Sequence, residues 1–146
     1  MRLFSKDFLS EKEQVRIKKA IESAEQRTSG EIRLRLEPFC KIDVLDRSAD
    51  VFALLHMHET EFRNGVLFYV AYKDRKFAII GDAGINVKVG EAFWNEEKDI
   101  LEKHFKENKY ADGLEKAILL AGEKLQEHFP KREKPLNELS DEISFG

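Results

Sequence analysis

The chain has 146 residues, 42% of them hydrophobic and eleven of them Phe, which suits one packed domain and excludes a disordered chain. Its 25 basic and 28 acidic residues leave a net charge of −3, so the composition argues against nucleic acid or anionic lipid as a partner. Cys40 is the single cysteine, no run approaches the roughly 20 apolar residues of a bilayer span, and Met1 to Ser10 lacks a signal-peptide core. No internal disulfide, no membrane insertion and a cytoplasmic location are therefore expected.

Ser10 and Glu13 have capping-box spacing and open a helix with Ile17, Ile21 and Ala24 on one face. That helix is expected to stop at Thr28-Ser29-Gly30, with Gly30 as a cap or turn. Ile32, Leu34 and Leu36 then alternate with Arg33, Arg35 and Glu37, the pattern of a strand with one polar face. Residues 38–47 read as a loop, followed by a short helix from about Ser48 to His58. Val66 to Ala71 is apolar except for Tyr69, so this strand is expected to be covered on both faces. Strand, helix, strand in this order predicts a right-handed crossover between parallel strands.

A third strand, about Lys76 to Gly81, returns antiparallel through a turn near Lys73-Asp74-Arg75. Helical period resumes at Phe93-Trp94 and runs through Ile100, Leu101, His104 and Phe105. After a break at Asn108 to Asp112, Asp112 and Glu115 are candidate caps for a last helix. Its stripe is Leu114, Ala117, Ile118, Ala121, Leu125 and Phe129. Residues 1–130 thus form one domain, and 131–146 a charged tail, docked through Leu136, Leu139, Ile143 and Phe145 or disordered. The fold class is α/β, a three-layer α/β/α sandwich with a small mixed sheet of three or four strands.

Five segments in order, Ser29-Gly30-Glu31-Ile32, Asn64-Gly65-Val66-Leu67, Gly81-Asp82-Ala83-Gly84-Ile85, Phe93-Trp94 and Gly113-Leu114, resemble the TPM domain family over about residues 8–130. Relatives in that family include thylakoid-lumen phosphatase-like proteins, and this chain looks like the short, stand-alone bacterial type. The resemblance implies an α/β/α domain, divalent-cation binding by loops at one sheet end, and the acid phosphatase activity ascribed to some members. It assigns no catalytic residue.

Strand direction sorts the acidic and amide side chains into two ends. One end collects Glu31, Asn64 and Asp82, with Glu59, Asn86 and the backbone around Gly81 to Gly84 nearby. These are oxygen donors of the kind calcium or magnesium takes, and Glu31, Asn64 and Asp82 are the candidate metal ligands. Asp82 and Asn64 equally suit side-chain hydrogen bonds that satisfy turn backbone. The other end holds Asp43, Asp46 and Asp74 beside Arg47, Lys73 and Arg75, the composition of a charged rim. His56 and His58 lack the i, i+4 spacing of a zinc pair, and Gly81 to Gly84 lacks the Lys-Ser/Thr of a phosphate loop.

Three functions follow as expectations. The first is a non-enzymatic module binding a divalent cation, calcium or magnesium, and open to a protein partner. The second is a metal-assisted phosphomonoesterase, acid phosphatase-like, with Asp82 as ligand or base and Arg63 as phosphate clamp. The third is a protein-interaction scaffold using the helical faces or the tail.

Overall fold

A computed structural model describes residues 8–131 and 143–146. Ser10 caps the first helix, α1 (Glu11–Glu25): its hydroxyl accepts from the Glu13 amide and the Glu13 carboxylate accepts from the Ser10 amide. Ile17, Ala20, Ile21 and Ala24 form its buried stripe. The helix closes at Gln26 rather than at Gly30. Gly30 serves packing instead, because a Cβ there would stand 2.7 Å from Leu125 Cδ2.

The strands fall where period and turn residues place them: β1 (Glu31–Glu37), β2 (Gly65–Ala71) and β3 (Lys76–Gly81). β1 and β2 are parallel with Glu31 opposite Gly65, and β2 and β3 are antiparallel with Val66 opposite Gly81. The crossover between β1 and β2 carries α2 (Val44–Leu54) and a 3-10 turn (Met57–Glu59). α2 starts four residues before the expected Ser48, because the Asp43 carboxylate accepts from the Leu45 and Asp46 amides and nucleates the turn there. His56 sits outside the helix at φ 58°, so the two histidines lie on a kinked connection.

After β3 come a four-residue turn of helix, α3 (Ala83–Asn86), then α4 (Glu91–Lys106) and α5 (Tyr110–His128). Asp112 and Glu115 do not cap α5. They lie within it and receive Arg16 of α1 at 2.6 and 2.9 Å, fixing the two helices side by side. A two-residue strand, β4 (Ser144–Phe145), pairs parallel with β1 and completes the sheet order β3-β2-β1-β4. Ile143 and Phe145 pack against the core; the expectations for Leu136 and Leu139 fall outside the described residues.

The three layers follow from side-chain alternation. Ile32, Leu34, Leu36, Val66, Phe68 and Val70 face α1, α4 and α5 in the larger core. Leu67, Tyr69 and Ala71 face the other way, against Val51, Phe52 and Met57 of the crossover. β2 is buried along its whole length, as its apolar run requires. Among the described residues, no helix is long and apolar enough to cross a membrane.

Candidate functional site

The parallel start of β1 and β2 and the antiparallel end of β3 bring Glu31, Asn64 and Asp82 to one edge of the sheet. The Glu31 amide donates to the Asn64 carbonyl at 3.4 Å, and the Asp82 amide donates to the Gly65 carbonyl at 2.9 Å. These backbone links set Glu31 and Asp82 on either side of Gly65, with Asn64 one residue before β2 and Asp82 one residue after β3. All three are buried, Asn64 completely.

Their side chains differ in what occupies them. The Asp82 carboxylate accepts two hydrogen bonds from Arg63, at 2.7 and 2.8 Å, and one from the Ala83 amide at 2.7 Å. That geometry makes Asp82 both the cap of α3 and half of a two-point ion pair. Asn64 donates through Nδ2 to Ser29 Oγ at 3.3 Å, while its Oδ1 is buried with no hydrogen-bond partner. A buried carbonyl oxygen left unmatched costs about 1–3 kcal/mol. Glu31, a carboxylate at 2% exposure, occupies the neighbouring strand position. The flanking candidates take other roles: Asn86 donates to the Gly81 carbonyl at 2.8 Å, and Glu59 lies 2.8 Å from His56 on the exposed turn.

At the opposite end, Asp43 caps α2 and Asp74 accepts from the Cys40 amide at 2.8 Å. Both carboxylates hold backbone in place. His104 likewise engages the Ile100 carbonyl through Nδ1 at 2.8 Å.

Two buried carboxylates carry electrostatics that composition did not reveal. Glu37 accepts from Tyr69 Oη at 2.7 Å, from Arg47 at 2.7 and 3.0 Å, and from Arg35 at 2.9 Å. Burial opposes its charge, but hydrogen bonds from Arg47, Tyr69 and Arg35 outweigh that penalty and hold its carboxyl down at about 2. Burial and the same carboxylate push the Tyr69 phenol upward. The sequence signal was present: Arg35 stands opposite Tyr69 in the parallel register, so the polar row of β1 meets the single polar residue of β2. The polar face of β1 is buried at Arg35 and Glu37, because charges of both signs satisfy one another there.

Stability contributed by a carboxyl depressed below its ordinary 4.5 is present above that pH and is lost as pH falls toward about 2. Tyr69→Phe removes one donor to a buried charge and is expected to cost about 2 kcal/mol, read by urea denaturation at neutral pH. No loss would mean that the two arginines suffice without the phenol.

Glu97 is the second. It lies between Phe93 and Leu101 on the buried stripe of α4, fully buried, and neither carboxylate oxygen has a hydrogen-bond partner. Burial first, and then the neighbouring Glu96 charge, push its carboxyl up to about 9.

A family model described as a TPM domain matches residues 4–124 of the chain. The fold is similar to the NMR structure of BA42 protein from the psychrophilic bacterium Bizionia argentinensis. The two share 43% sequence identity and a TM-score of 0.89, over 95% of this chain and 96% of that one. No curated protein matches the sequence.

Proposed function

The chain belongs to the TPM domain family, and we propose that it is a non-enzymatic module that binds calcium or magnesium at the Glu31–Asn64–Asp82 edge. The observation that carries this reading is Asn64 Oδ1, an oxygen donor buried without a partner next to the strand position of a buried carboxylate. Hard cations take carboxylate, amide and carbonyl oxygens together, so an ion would satisfy the donor that the protein leaves unmatched. Glu31 and Asn64 supply the first oxygens. Asp82 joins them by exchanging Arg63 for the ion, since one carboxylate serves both. No group of three or more His, Cys, Asp and Glu suited to a metal occurs among the described residues, which is why an amide oxygen is essential to this set.

Titration of the isotopically labelled chain with calcium and with magnesium, followed by amide shifts, tests the proposal. Saturable shifts are expected around Glu31, Asn64 and Asp82, with Asp82→Asn weakening the response and Arg63→Gln strengthening it. Shifts confined to Asp43, Asp46 and Asp74 would place the ion at the wrong end of the sheet and reject the assignment. A metal-assisted phosphomonoesterase would need the same exchange, with the released Arg63 as a phosphate clamp and Asp82 as ligand or base. Binding is preferred because it asks only for the oxygen ligands, and metal-dependent hydrolysis of an aryl phosphate that Asp82→Asn abolishes would reverse that preference.

A further inference from the structure

At the carboxyl end of β2, on the face of the larger core, five rings border a cavity of about 340 Å³: Phe8, Tyr72, Phe77, Phe105 and Tyr110. They orient one another. Phe8 stacks on Tyr72 with centroids 5.4 Å apart and planes at 19°, and Phe105 sets its ring edge-on to Phe77 and Tyr110 at 5.5 and 5.4 Å. Offset and edge contacts of this kind are the preferred ring geometries, so the walls are fixed by packing before any ligand enters. Phe8 is buried, whereas the other four are only half-buried, leaving ring surface in contact with the cavity. The volume lies in the range of about 300–1,000 Å³ usual for small-molecule sites.

The rim is basic. Arg75, Lys76 and Lys106 border the cavity against one acid, Glu102, on a chain whose net charge is −3. Lys76 directs its ammonium to the Cys40 carbonyl at 3.4 Å, and Glu102 lies 4.0 Å from Lys98. Arg75 and Lys106 are exposed and have no ion-pair partner among the described residues. Open α/β sheets receive ligands beyond the carboxyl ends of their parallel strands, and this cavity opens there, at the other end of β2 from Asn64.

We propose that the cavity binds an anionic aromatic small molecule, its ring among the five aromatic side chains and its negative group toward Arg75 and Lys106. The labelled full-length chain would be titrated with naphthalenesulfonate and, separately, with the neutral naphthalenemethanol. Saturable shifts at Tyr72, Phe77, Phe105 and Tyr110 are expected. The neutral compound should bind about fivefold more weakly, and Lys106→Glu and Arg75→Glu should each weaken the anion by a similar factor, as one partly solvated ion pair allows. Both substituted residues are exposed, so the fold survives the change. Equal affinity for the two compounds, shifts that never saturate, or full affinity in both variants would overturn the proposal. So would cross-peaks from residues 1–7 to these rings in the ligand-free chain, which would make the chain its own occupant.

Discussion

Glu97→Gln is expected to stabilise the domain by roughly 3 kcal/mol at pH 7, with a gain that grows as pH rises. Glu97 has no exposed surface and no hydrogen-bond partner for either oxygen, so the folded chain holds it as a neutral acid. Its carboxyl is raised from an ordinary 4.5 to about 9. Below pH 4.5 the group is protonated in both folded and unfolded chains and contributes no pH dependence. Between 4.5 and 9 only the unfolded chain ionises, which favours unfolding by about 1.4 kcal/mol per pH unit. The neutral amide of Gln removes that bias while retaining shape and a similar cost of polar burial. Urea denaturation of both chains from pH 4.5 to 8.5 checks this: the two stability profiles should converge at the acid end and diverge steadily above it. Parallel profiles would show that Glu97 gains a partner or water in solution and stays ionised.

The same residue illustrates what a linear sequence displays and what it conceals. Periodicity placed Phe93 and Leu101 on one face of α4, and Glu97 stands midway between them at the i+4 and i−4 positions. Its burial was therefore implied by the helix, but a carboxylate there reads as a surface residue until the neighbouring layers close over it. Strands β1, β2 and β3 were legible because alternation, an apolar run and a charged turn each have a local cause. β4 was not, since two residues carry no period and their pairing with Arg35 and Leu36 depends on the tertiary fold. The edge holding Glu31, Asn64 and Asp82 followed from strand direction alone. That Asp82 is claimed by Arg63 did not, because it depends on the positive φ of 52° that Arg63 adopts in the turn before β2. The aromatic cavity draws on residues from Phe8 to Tyr110, a separation across which no spacing rule operates.

Gly84→Ala is expected to cost about 3 kcal/mol, the upper part of the range for overpacking. Gly84 lies in α3, and a Cβ built there would run into the Phe62 carbonyl oxygen and stand 2.6 Å from that of Arg63. Helix propensity alone would reward alanine by about 1 kcal/mol, so the two effects oppose each other. The clash should win because its walls are backbone, not the ends of pliable side chains. The backbone is also pinned: the Ile85 amide donates to the Arg63 carbonyl at 3.3 Å, and the Asn64 amide donates to Thr60 Oγ1 at 3.3 Å. Moving that segment would disturb the Arg63–Asp82 pair and the buried Asn64 amide together. Thermal and urea denaturation should show the loss as a fall in Tm of about 10 °C. Gly90→Ala is the control, since its added methyl meets nothing within 4 Å and the cap exchange should cost only about 1 kcal/mol or less. Equal effects at the two glycines would mean that the loop before β2 yields freely, and the edge would then be too soft to hold Asn64 Oδ1 in a fixed place for a cation.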